Sequence, residues 1–142
     1  MKNLEIILDE QGKSEERRKS IDNIFLRKAK IKIVAYKGGF DGLASEEEIR
    51  LAKLRGVMPK GFELHHIKPL CSKTCEISLE NMVIMDSASH KLLHRLYDRQ
   101  LRHCRVGMMA CVYIPDFDVN KVSTKKTFDP DYLRYLKEKE RE

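Results

Sequence analysis

The chain has 142 residues, enough for one domain with a buried core, and nothing in its composition demands a second. Lys plus Arg number 28 against 22 for Asp plus Glu, a net charge of +6 that favours polyanionic partners. Four cysteines come without a signal peptide and without an apolar run able to span a bilayer, so the expectation is a soluble protein of the reducing cytoplasm with no membrane partner.

In chain order, Ser14 is expected to open a helix carrying the apolar stripe Ile21, Ile24, Phe25 and Ala29, and residues 31–36 then read as extended before a glycine-rich turn at 37–42. Eight basic residues, from Arg17, Arg18 and Lys19 through Arg27, Lys28, Lys30 and Lys32 to Lys37, stand against the single acid Asp22. Such a segment suits a phosphate backbone, although half of these side chains fit a solvated helix face equally well. Ser45 followed by Glu48 is a capping box, and Gly56 closes that helix after Ile49, Ala52 and Leu54.

The most informative window follows. Four of the five histidines fall in Glu63-Leu64-His65-His66-Ile67-Lys68-Pro69 and in His90-Lys91-Leu92-Leu93-His94, with Asn81 between them. His90 and His94, four apart, lie on one face of a helix and are close enough to share one cation. His65 and His66 are adjacent, so in an extended segment they point to opposite faces and only one can join the helical pair. The other is free to act as a base, since a neutral imidazole takes a proton near physiological pH.

This pattern resembles the HNH, or ββα-metal, nucleases, above all the nuclease domains of DNase colicins, pyocins and bacterial polymorphic toxins. Residues 62–69 look like that group's first strand and turn, residues 79–85 like its second strand with the family Asn, and residues 90–96 like its metal-binding helix. The resemblance implies an α+β fold with a ββα-metal core at about residues 61–97. N-terminal helices precede that core, and a C-terminal strand and helix follow it. As one domain, this divides into a helical, basic part (1–56), the motif (57–102) and a C-terminal extension (103–142). It also implies roles: His65, His90 and His94 as metal ligands, His66 as the general base, Glu63 as a supporting acid, and Asn81 as the tie that holds the connecting loop. Where the colicin group has an Arg before its Glu, this chain has Pro59 and Lys60, which makes Lys60 the candidate substitute, with Lys68 on the other side of the strand.

Imidazole ligands favour zinc or nickel, and the resemblance adds manganese and magnesium, so one divalent ion is expected without a fixed identity. Beyond the pair on the helix, Lys91, Arg95, Arg99 and Arg102 recur at intervals of four, four and three, a basic stripe beside the metal face. Leu92, Leu93, Leu96 and Leu101 supply the core face. His103 carries no role. The cysteines, spaced Cys71-x3-Cys75 and Cys104-x6-Cys111, match a zinc knuckle poorly and are expected to be small buried thiols rather than ligands of a second zinc. Residues 108–114 read as a strand ended by Pro115, Asp129 and Pro130 start a final helix with Tyr132, Leu133 and Leu136 inward, and residues 137–142 are expected to fray.

The expected activity is metal-dependent cleavage of DNA phosphodiesters, with RNA as a second polymer. In a toxin setting, with export to a target cell, the resemblance also implies an acidic immunity protein covering the basic surface. The alternatives are a selective nuclease of the homing, restriction or RNA-directed kind, with the basic N-terminal segment as reader, and a non-catalytic nucleic-acid-binding module stabilised by metal.

Overall fold

A computed structural model describes residues 1–141. Among these the chain is α+β, with five helices and five short strands in two sheets. The elements are β1 (Lys2–Ile7), α1 (Gln11–Lys19), α2 (Ile21–Tyr36), α3 (Glu46–Arg55), β2 (Phe62–His66), β3 (Met82–Asp86), α4 (Ser87–Leu101), β4 (Met109–Ile114), β5 (Val122–Ser123) and α5 (Pro130–Glu140).

β3 organises the molecule. Its sequence Met-Val-Ile-Met is apolar at every position because both of its faces are covered, and Met82, Val83, Ile84 and Met85 are all fully buried. Ile84 packs with Ile31, Val34, Ala35, Phe40 and Ala52 from the α2–α3 side. Val83 and Met85 pack on the opposite side with Leu93 and Leu96 of α4 and with Phe128, Tyr132 and Leu136 around α5. The three-stranded sheet, in the order β2-β3-β5, is therefore a middle layer, antiparallel between β2 and β3 and parallel between β3 and β5, with β2 at its edge.

Several expectations are corrected here. Residues 31–36 are not extended: they are the last turns of α2, where Ile31, Val34 and Ala35 recur at helical spacing and face the core. The stripe assigned to this region is not in the core, with Ile21 84%, Ile24 50% and Phe25 70% exposed. The first helix begins at Gln11, ahead of Ser14, and breaks at Ser20, whose extended backbone (φ −61°, ψ 145°) ends α1 and whose hydroxyl accepts from Asn23 N to cap α2. The N-terminal 56 residues are not wholly helical either, since β1 pairs antiparallel with β4, Lys2 opposite Ile114. Residues 79–81 form one 3-10 turn, and the strand expected from residue 79 starts at Met82.

The capping box at Ser45 and Glu48 forms as read, and Gly56 ends α3 in the left-handed region at φ 65°. A side chain there would strain the backbone and meet the Lys28 carbonyl at 2.8 Å, so glycine is also what lets α3 lie against α2. α5 is capped by Asp129 with Pro130 in its first turn and continues to Glu140, beyond the point where fraying was expected; Glu142 lies outside the described residues. None of the cysteines is buried: Cys71, Cys75 and Cys104 are half-buried and Cys111 is exposed, all four as free thiols. No described helix is long and apolar enough to cross a membrane.

Candidate metal centre and cleft

The pairing of β2 with β3 decides where the two adjacent histidines go. Residues directly opposite across an antiparallel pair share a face, so Glu63 (opposite Met85) and His65 (opposite Val83) point toward α4, while Leu64 (opposite Ile84) and His66 (opposite Met82) point toward α2. One strand thus sends adjacent histidines to two different neighbours, α4 and α2, and both reach one cleft. Of the two adjacent histidines, the one on the α4 face is His65.

α4 meets it with His90 and His94. The helix is started by Asp86, whose carboxylate accepts from Ser89 N, and its register turns both imidazoles toward β2. The His65 ring centroid lies 5.2 Å from that of His90 and 5.9 Å from that of His94, and His90 and His94 are 4.4 Å apart. One donor nitrogen from each lies within 4.8 Å of the other two, and these three side chains are the only such metal-ligating group among the described residues. The four cysteines do not converge on a second.

The donor set fits a divalent ion. His90 Nδ1 lies 2.7 Å from Glu63 Oε2, and since a carboxylate only accepts, Nδ1 carries the proton and Nε2 presents its lone pair. His94 Nε2 is 2.9 Å from His90 Nε2. Ions bound at ~2.0–2.1 Å hold neighbouring nitrogens roughly 3 Å apart, so a displacement of a few tenths of an ångström suits this pair. His65 is buried, with Nε2 3.3 Å from the Tyr97 hydroxyl and the Phe117 ring beside it. Burial, then the neighbouring imidazoles, holds the His65 pKa well below the usual histidine range, and burial and His90 lower that of His94. Both rings are neutral at physiological pH, the form a metal requires. His94 is solvent-exposed, which leaves the centre open on one side.

On the other face, His66 lines a cleft of about 570 Å³ between the edge strand and α1–α2. His65, His90 and His94 reach the same cleft, and Arg18, Arg27 and Lys28 form its opposite wall. Burial, reinforced by the positive charges of Arg27 and Arg18, pushes the His66 pKa down to about 4. The ring is neutral through the physiological range, with Nε2 2.9 Å from Asn23 Oδ1.

Asn81 takes the expected part as a tie. Its Oδ1 accepts from Lys68 N at 2.8 Å, its Nδ2 donates to the carbonyls of Lys68 and Glu76 at 3.0 Å each, and its backbone carbonyl accepts from Ile67 N. The turn that leaves β2 is thereby fixed to the turn that enters β3, immediately beyond His66.

The basic candidates divide differently from the expectation. Lys60, Lys68, Lys91, Arg95, Arg99 and Arg102 do not line the cleft; the stripe on α4 is exposed to solvent, with Arg99 donating to the Lys139 carbonyl. Within the N-terminal segment, Arg17 is engaged by Asp9 and the Leu70 carbonyl, and Lys30 is buried with its ammonium on the Leu79 carbonyl. Arg18 and Arg27 face the histidines, a placement that charge density alone did not single out. Asn23 was missed because its significance lies in a contact with a residue 43 positions away. Comparison with protein-family models, curated proteins and solved structures yields no match to this chain.

Proposed function

We propose that the chain is a metal-dependent endonuclease of the HNH type, hydrolysing DNA phosphodiester bonds in the cleft between β2–α4 and α1–α2. The observation that carries this reading is the division of labour on β2: three imidazoles from two elements converge on one point, while the fourth, one residue away, stays out of that cluster and faces a cleft walled by arginines. The order of β2, β3 and α4 supports the same reading.

His65, His90 and His94 hold the ion, and Glu63 fixes the His90 ring through its Nδ1 proton, as carboxylates do behind metal-bound histidines. A bound divalent ion supplies electrostatic stabilisation to the phosphate and to the charge that builds on the leaving 3′ oxygen. Arg18 and Arg27 bind the phosphates of the strand across the cleft. His66, neutral and partly shielded from solvent, takes a proton from the attacking water; a P–O bond to that water forms, the bond to the 3′ oxygen breaks, that oxygen takes a proton from solvent to leave as a hydroxyl, and solvent later removes the proton from the ring. Asn81 keeps the strand end rigid so that His66 meets the phosphorus in line.

The test is plasmid nicking and RNA cleavage with added Mg²⁺, Mn²⁺, Ni²⁺ or Zn²⁺, run beside the His66→Ala protein. The reading expects metal-dependent cleavage that chelator stops and that His66→Ala loses while retaining nucleic-acid binding. A wild-type chain that binds nucleic acid but cleaves neither polymer with any of the metals contradicts it and favours the binding module. Preferential cleavage of RNA corrects the substrate.

A further inference from the structure

We infer that Asn23 is a positioning residue for His66, fixing which of its two ring nitrogens receives the proton; the inference rests on the nuclease reading above. Neither the motif nor its neighbourhood contains this residue. Asn23 sits in the first turn of α2, buried to 6% exposure, and its place there is built by the break at Ser20, whose side chain holds the Asn23 backbone N–H.

The orientation of the amide follows from its two partners. Asn23 Nδ2 is 3.0 Å from the Arg18 backbone carbonyl, which can only accept, so that end is the NH₂ group and donates. The other end, 2.9 Å from His66 Nε2, is then the oxygen, which can only accept. His66 must donate through Nε2, and the neutral ring is left with its lone pair on Nδ1. In an unconstrained imidazole the proton exchanges between the two nitrogens; here a buried acceptor held by the helix break selects one form and also fixes the rotation of the ring. The base of the proposed reaction is therefore Nδ1, and its aim is set from α2, across the cleft from the metal ligands. α1 and α2 consequently do more than wall the cleft with charge, since Arg18 and Asn23 are tied together through the same hydrogen bond.

Two measurements on the full chain test this. In the first, ¹⁵N and ¹³C correlation spectra of histidine side chains at pH 7.5, with the His66 signals assigned by the His66→Ala spectrum, should show His66 in the Nε2–H form in the wild type and in Asn23→Asp, which keeps an acceptor oxygen. Asn23→Ala should give a mixture of tautomers. In the second, kcat for plasmid nicking should fall about 10- to 100-fold in Asn23→Ala with KM unchanged, as for other residues that orient a working histidine, and Asn23→Asp, which keeps the acceptor for Nε2 but loses the donor to the Arg18 carbonyl, should recover part of it. An Nδ1–H form in the wild type overturns the inference even if Asn23→Ala fails to fold. So does an Asn23→Ala protein with the wild-type tautomer and unchanged kcat. If the wild type does not cleave nucleic acid, the nuclease reading fails while the spectra still decide whether Asn23 sets the tautomer.

Discussion

Glu63 Oε2 lies 2.7 Å from His90 Nδ1, linking the edge strand to the histidine face of α4 by a charge-assisted hydrogen bond. The contact orients the His90 ring, and removing it leaves that imidazole free to turn or to change tautomer. Glu63→Ala is expected to weaken zinc binding by about 10- to 100-fold, with Glu63→Gln losing less because its amide oxygen still accepts from Nδ1. Competition with a chromophoric chelator measures both. Equal affinity in all three proteins would show that the carboxylate does not support the site.

The histidines with depressed pKa values make the metal-free protein acid-labile in a defined window. In the unfolded chain histidine titrates near ~6.5, whereas the native pKa values of His65 and His94 are depressed and that of His66 is pushed down to about 4. Below about pH 6.5 the unfolded chain binds protons that the native state refuses, so stability falls as pH drops. The contribution of His66 levels off below about 4, where the native ring also protonates. Urea midpoints in chelator at pH 7.5, 6 and 5 should decrease in that order, and the decrease should be shallower in His66→Gln. Parallel pH profiles for the two proteins would contradict the placement of His66.

Asn81 ties residues 68 and 76 with three side-chain hydrogen bonds. Asn81→Ala leaves the Lys68 N–H and carbonyl without those partners in a half-buried turn and is expected to cost about 1–3 kcal/mol in urea denaturation. Asn81→Asp keeps the acceptor for Lys68 N but sets an oxygen against the carbonyls of Lys68 and Glu76, so it should destabilise as well. Wild-type stability in both variants would mean that the turn is held by its backbone alone.

Nucleic-acid affinity should depend on the α1–α2 wall more than on the stripe along α4. Each lost phosphate contact lowers the slope of log K against log salt by about 0.9. Arg27→Ala is expected to reduce the slope by close to that amount and Arg18→Ala by less, since its guanidinium is shared with Glu15 at 3.1 Å, whereas Arg99→Ala, which lies away from the cleft, should change it little. Fluorescence anisotropy with a labelled duplex between 50 and 300 mM salt, roughly the range in which such contacts dominate, reads the slopes. The reverse ranking would move the binding surface to the outer face of α4.

The convergence of His65, His90 and His94 was readable in the sequence because it rests on short-range geometry: the i, i+4 spacing of His90 and His94, and the alternation that separates His65 from His66. The core face of α4 was equally legible, with Leu93 and Leu96 buried and Leu92 partly so. Residues 31–36 misled because Ile31, Ile33 and Val34 are β-branched and alternate with lysine, whereas packing of Ile31, Val34 and Ala35 against β3 decides in favour of helix. β1 went unread although Leu4 and Ile6 alternate with polar residues, since so short a strand has no support until β4 pairs with it. The contact of Asn23 with His66 and the placement of Arg18 and Arg27 along the cleft depend on how α1 and α2 dock, and nothing in their local sequence announces it.

The most direct measurement of the central claim, that three imidazoles share an ion while His66 remains free of it, is a cobalt or zinc titration of the wild type beside His66→Ala and His94→Ala. One tight equivalent is expected in the wild type and in His66→Ala, with binding lost or greatly weakened in His94→Ala. No binding by the wild type, or loss of the equivalent in His66→Ala, would contradict the account.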